Sequence, residues 1–240
     1  MTGSSTRRQR MEDDHYLIIA EHYNSRLRAH GDTAKGADWP NQSDREVRFD
    51  VMLDLLSGDA APSVDLLDFA CGSGDMLRYI HSRGLRRIRY RGADISAEAL
   101  ALSRAKFPGT PFIEIDILTA SDGDVAALVA DYCVINGLFT VKADLSDEEM
   151  WSFLTRVVGR LWGVVRKGIA FNVMSKHVDR ERSDLFHLPF DRAAEFLHRL
   201  AGRSIAFRAD YGLHEYTCYA YKQPRRGRIV PPFPAQLNSS

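Results

Sequence analysis

The run at residues 64–83 constrains this chain most. It joins six strand-forming residues, Val64-Asp65-Leu66-Leu67-Asp68-Phe69, to a small-residue turn, Ala70-Cys71-Gly72-Ser73-Gly74, and then to a helical stretch over 75–83. A strand that passes through glycines spaced by one residue into a helix puts backbone N–H groups and a helix N-terminus at the carboxyl end of a parallel sheet, where such folds bind ligands. Gly72-Ser73-Gly74 alone is a weak signal. It gains weight from Asp94, which closes the next predicted strand, Ile88–Asp94, 20 residues after Gly74. At that spacing a carboxylate can accept both hydroxyl protons of a ribose, so the pair points to a ligand that carries a nucleoside.

The alternation of strand and helix continues along the chain. Ser96 caps a helix over Ala97–Lys106 with Glu98 in its first turn, and Phe107-Pro108-Gly109 stops it before a third strand at Phe112–Ile115. A short helix over 123–129 precedes a strand at Tyr132–Asn136, and an amphipathic helix over 147–163 precedes another at Gly168–Met174. A helix over 190–201 then leads to strands at Ser204–Ala209 and Glu215–Tyr221, whose short connection, Asp210 to His214, predicts an antiparallel hairpin. The fold class is therefore α/β, a mostly parallel sheet covered on both faces. Residues 15–222 read as one domain, with a helical cap over the sheet edge at 15–57, broken by Gly31, Gly36 and Trp39-Pro40, and a core at 63–222. Residues 1–14 read as a disordered N-terminus, and 223–240 as a Pro/Arg-rich tail holding four of the nine prolines.

Composition narrows the functions. With 32 Lys+Arg against 32 Asp+Glu the formal net charge is zero, which argues against a surface tuned to polyanions. Five arginines, Arg83, Arg86, Arg87, Arg89 and Arg91, fall within nine residues and make the best case for nucleic acid, yet they join a helix end to a strand start, opposite the expected ligand end. Cys71, Cys133 and Cys218 are odd in number and widely spaced, so neither a disulfide framework nor a metal site is expected. No run approaches the roughly 18 apolar residues that span a bilayer, and the expected location is cytoplasmic.

Two nucleoside chemistries lose ground. A dinucleotide fingerprint needs glycine at position 77, where this chain has Leu77, and no Gly-Lys-Ser/Thr tripeptide of a phosphate-cradling loop occurs. A ligand without phosphates fits better. Leu66 to Gly74 resembles the first motif of the class I S-adenosylmethionine-dependent methyltransferases, with Asp68, Gly72 and Gly74 matching and Ala70 standing where the family has glycine. Gly92-Ala93-Asp94-Ile95-Ser96 resembles the second motif, Phe112 to Ile117 the third, and Asp131 to Gly137 the fourth. The resemblance is specific over 64–142 and architectural over 143–222. It implies a Rossmann-like, seven-stranded sheet with a C-terminal antiparallel hairpin and S-adenosylmethionine as cofactor. By the same resemblance Asp94 and Ile95 lie at the ribose, Asp116 and Ile117 at the adenine, and Asn136 beside the methyl group; Phe139 reads equally as packing on the cofactor or as filling the core.

The sulfonium is already a strong electrophile, so the protein mainly aligns an acceptor in line with the methyl and excludes water. The chain looks most like bacterial small-molecule methyltransferases, and O-methylation is preferred over N-methylation because residues at the carboxyl rim could act as bases. His177 and His214 are the candidate general bases, and Lys142, Tyr211 and Glu215 share that rim. Tyr23 and Arg48, in the cap, are candidates for contacting the methionine carboxylate. Three alternatives stand beside this. An RNA methyltransferase is disfavoured because Asn136 is followed by Gly137-Leu138-Phe139 and no proline follows Cys133; the others are an NAD(P)-linked oxidoreductase and a non-catalytic cofactor-binding partner subunit.

Overall fold

The computed structural model describes residues 14–33, 35–36 and 41–224. The expectations for residues 1–13, Trp39-Pro40 and 225–240 lie outside them. Two helices, α1 (Leu17–His30) and α2 (Gln42–Leu53), precede β1 (Val64–Phe69), α3 (Asp75–Ser82), β2 (Ile88–Asp94), α4 (Ala97–Lys106) and β3 (Phe112–Glu114). Then come α5 (Asp122–Ala126), β4 (Ala130–Phe139), α6 (Asp147–Trp162), β5 (Val165–Ser175), β6 (His187–Leu188), α7 (Phe190–Ala201), β7 (Ile205–Arg208) and β8 (Glu215–Tyr221). The strands form one sheet in the order β3-β2-β1-β4-β5-β8-β7, parallel except where β8 pairs with β5 and β7. The two-residue β6 runs parallel to the end of β5 and adds an eighth strand to the seven expected.

Alternation along the strands divides the core in two. Leu66, Val134 and Ala170 face one side with α2 and α3, while Leu67, Cys133 and Ile169 face the other with α6 and α7. Local chemistry sets the helix starts: the Ser96 side chain accepts from Ala99 N–H, and Ser146 with Glu149 forms a reciprocal capping box.

β4 and β5 are longer than their sequence suggests. Asp131 and Gly137 look like strand breakers. In the fold Asp131 accepts from Asp65 N–H and pairs with Arg166, and Gly137 is absorbed in a bulge. The cap also differs from its expected seat over the sheet edge. Only α1 crosses the carboxyl ends of the strands, whereas α2 packs on a sheet face, burying Phe49, Val51 and Met52 and taking a 2.7 Å hydrogen bond from the Tyr219 hydroxyl to Val51 O. This buries apolar surface that an edge position would leave in water.

Of the arginine run, Arg87 and Arg91 donate to backbone carbonyls, Arg89 pairs with Asp65, and Arg83 lies over the Tyr79 ring. These side chains tie β2 to the segment before β1, to β1 itself and to the residues after α5. Among the described residues no helix is long and apolar enough to cross a membrane.

Candidate active site

The carboxyl ends of β3, β2, β1 and β4 form the floor of a cavity of about 1290 Å³, counting space open to solvent. α1 roofs it with Ile19, Tyr23 and Leu27, a stripe at the four-residue spacing of one helix face. Phe49 of α2 closes one wall.

At the end of β1, Ala70 holds a left-handed φ of 60°, a conformation costly for any residue with a Cβ. Gly72 follows at φ 54°. Its N–H donates to Asp94 Oδ2 at 2.7 Å, and Ser103 Oγ donates to its carbonyl at 2.8 Å. Ser96 N–H donates to Asp94 Oδ1 at 2.8 Å, so one carboxylate braces both the glycine turn and the start of α4. Gly74 stands behind the turn rather than in the cavity wall. A Cβ there would press on the Phe107 ring at 3.1 Å, and its φ of 82° is left-handed.

Three carboxylates face this cavity without an ion-pair partner among the described residues: Asp68, Asp94 and Asp116. Asp68 is 3% exposed, and its Oδ2 accepts from the Tyr90 hydroxyl at 2.6 Å. Burial pushes its pKa up to about 7; the Tyr90 bond opposes this, and the nearby Asp94 and Asp75 charges add to it. Burial also raises Asp94, against the N–H groups of Ser96 and Gly72. Asp116 accepts from the Tyr16 hydroxyl at 2.6 Å and from Leu118 N–H at 3.0 Å, with Tyr16 stacked on Phe153. By contrast, Asp32 and Asp75 at the cavity margin are neutralised by Lys106 and by Arg45 and Arg78.

The fourth element of the floor is the β4 bulge, where Asn136, Gly137 and Leu138 line the cavity. The Tyr23 hydroxyl donates to Gly137 O at 2.9 Å, and the Asn136 Oδ1 is buried with no hydrogen-bond partner among the described residues. An orphaned buried acceptor calls for a donor from a ligand.

The cavity thus brings together Asp68, Ala70, Gly72, Asp94, Ile95, Asp116, Ile117, Asn136 and Tyr23. Other sequence candidates fall elsewhere. Phe139 is core, packed edge-on against Phe153 and Phe171. Arg48 is not a cavity cation; its Nε donates to Glu215 Oε2 at 2.9 Å, both side chains being buried. His177 and His214 are at the rim but exposed, and neither lines the cavity. His177 packs on Phe190, and the alternation that turns Glu215 inward turns His214 out. Lys142 pairs with Asp147, and Tyr211 bonds Thr217. Sequence reading missed Tyr16 and Phe49, which line the cavity. The spacing of Tyr16, Ile19, Tyr23 and Leu27 carried the signal for the first.

Comparison with known proteins agrees with this geometry. Residues 67–157 match the methyltransferase domain family. A Mycobacterium tuberculosis protein assigned as a methyltransferase is 29% identical over 166 residues, covering 68% of this chain and 96% of that relative. The fold is similar to the magnesium protoporphyrin IX methyltransferase of Synechocystis PCC 6803 with bound SAH (TM-score 0.55, 11% identity, 90% of this chain and 100% of that one). It is also similar to a plantazolicin methyltransferase in complex with a pentazolic desmethyl analogue and SAH (TM-score 0.57, 15% identity, 86% and 99%). Domain match, sheet order and glycine turn agree with one another: the chain is similar, in residues 67–157 and in fold, to the class I S-adenosylmethionine-dependent methyltransferases.

Proposed function

We propose that this protein transfers a methyl group from S-adenosylmethionine to a small-molecule acceptor. The observation that carries this is the set of three cavity carboxylates without an internal cation, spread along adjacent strand ends beside an orphaned Asn136 Oδ1. When bound, the cofactor supplies an electrophilic methyl on a positively charged sulfur. Asp94 suits the ribose hydroxyls, Asp116 the adenine amino group, and Asp68 the positive charge. The similar solved proteins, with magnesium protoporphyrin IX and plantazolicin in their names, support a small-molecule acceptor. A preference for oxygen rested on His177 and His214 as bases, and both stand outside the cavity. What the cavity supplies is alignment and exclusion of water, which serve an oxygen or a nitrogen acceptor alike.

The raised Asp68 pKa gives a pH test of this assignment. A neutral buried carboxyl favours the fold at low pH, so that contribution is lost as pH rises from the ordinary 3.8 through about 7. A cation bound at Asp68 favours the ionised form, so binding below pH 7 must release a proton. Affinity for S-adenosylmethionine is expected to fall by about tenfold per pH unit below that point, with heats that depend on buffer ionisation. Constant affinity between about pH 5.5 and 8.5 removes Asp68 from the cation site.

A further inference from the structure

The bulge at the carboxyl end of β4 is held from within the core. Ile135 pairs with Phe171 and Phe139 with Val173, so Asn136, Gly137 and Leu138 stand opposite the single residue Asn172. Displaced backbone groups need partners outside the ladder. Gly137, at φ 87°, donates its N–H to Asn172 Oδ1 at 2.8 Å, and its carbonyl accepts from Thr140 Oγ1 at 2.8 Å and from the Tyr23 hydroxyl. Asn172 is fully buried, and its Nδ2 donates to Glu215 Oε1 at 3.0 Å. Glu215 is 2% exposed, and its Oε2 accepts from Arg48. A polar string therefore runs from α2 through the core to the cavity wall. Apolar residues of similar volume would serve stability as well or better, so stability alone does not account for it.

Position in the sheet tells which part of a ligand the bulge meets. Asp116 follows β3 and Asp94 ends β2, and β4 lies three strands from β3, about 14 Å at normal strand spacing. A nucleoside held at β3 and β2 reaches β4 only through what it carries on its 5′ side. We propose that Asn172, anchored by Glu215 and Arg48, is a positioning residue that fixes the Asn136–Leu138 bulge against the amino-acid half of the bound cofactor. This rests on the S-adenosylmethionine reading above.

The test compares two probes, S-adenosylmethionine and adenosine, by calorimetry on the full chain well below the unfolding midpoint. Asn172→Ala is expected to weaken S-adenosylmethionine by about tenfold or more while leaving adenosine within about twofold. Asn172→Asp combined with Glu215→Gln keeps an oxygen toward Gly137 N–H and a donor–acceptor pair between positions 172 and 215 at unchanged net charge, and is expected to recover most of the loss. Equal weakening of both probes marks a merely structural role, and an unchanged ratio in Asn172→Ala overturns the proposal. A second measurement needs no variant: in the wild type, hydrogen exchange at the Gly137 amide is expected to slow with S-adenosylmethionine and not with adenosine. Equal or absent protection overturns the proposal too. If the wild type binds neither probe, the cofactor reading fails and this inference falls with it; binding by the wild type with an unchanged ratio removes the positioning role alone.

Discussion

Arg48→Ala is expected to cost about 3–5 kcal/mol of folding stability, measured by urea or thermal unfolding. The side chains of Arg48 and Glu215 are 9% and 1% exposed, so removing the guanidinium strands a carboxylate that water cannot reach. Asn172 would then hydrogen-bond an uncompensated charge, so the loss spreads to the β4 bulge. In a domain of this size the change corresponds to a fall in midpoint of roughly 6–20 °C. The paired replacement of Arg48→Met with Glu215→Leu removes both charges and is expected to be much less damaging than Arg48→Ala alone. A single Arg48→Ala variant within about 1 kcal/mol of wild type shows that the pair does not bear on folding.

Asp94→Ala is expected to weaken S-adenosylmethionine by about 1.5–3 kcal/mol, the range for hydrogen bonds to a charged group, or roughly ten- to a hundredfold. Its carboxylate also accepts from Gly72 and Ser96 N–H, so the variant loosens the glycine turn as well as losing the ribose contact. A modest drop in midpoint is therefore expected alongside the affinity loss. Asp94→Asn keeps one acceptor for the backbone and is expected to recover stability more than affinity. Unchanged affinity in Asp94→Ala takes this residue out of the binding site.

The floor of the cavity was legible because its signals are local. A strand, a turn with left-handed positions and a helix start are encoded within 20 residues, and each later acid sits at the end of its own short strand. The partner of Arg48 was not legible. Glu215 lies 167 residues away, and nothing in the spacing of a single chain reveals a pair that only the closed sheet brings together. A cation in the cap was read as facing the ligand, whereas α2 turned it into the core. His177 and His214 show a related limit: the rim position of each was readable from topology, but side-chain direction depends on strand alternation and on neighbours such as Phe190. The β4 bulge escaped detection because Gly137 reads as the end of a strand, and only the register against β5 shows the ladder resuming at Phe139.

The most direct measurement is calorimetric titration of the purified protein with S-adenosylmethionine and S-adenosylhomocysteine, with NAD and NADP as controls. Micromolar binding of the two adenosyl ligands and no binding of the dinucleotides is the expected result, given Leu77 in place of the third glycine and cavity carboxylates in place of phosphate-binding cations. Preference for NAD or NADP, or no heat with either adenosyl ligand, contradicts the methyl-transfer function.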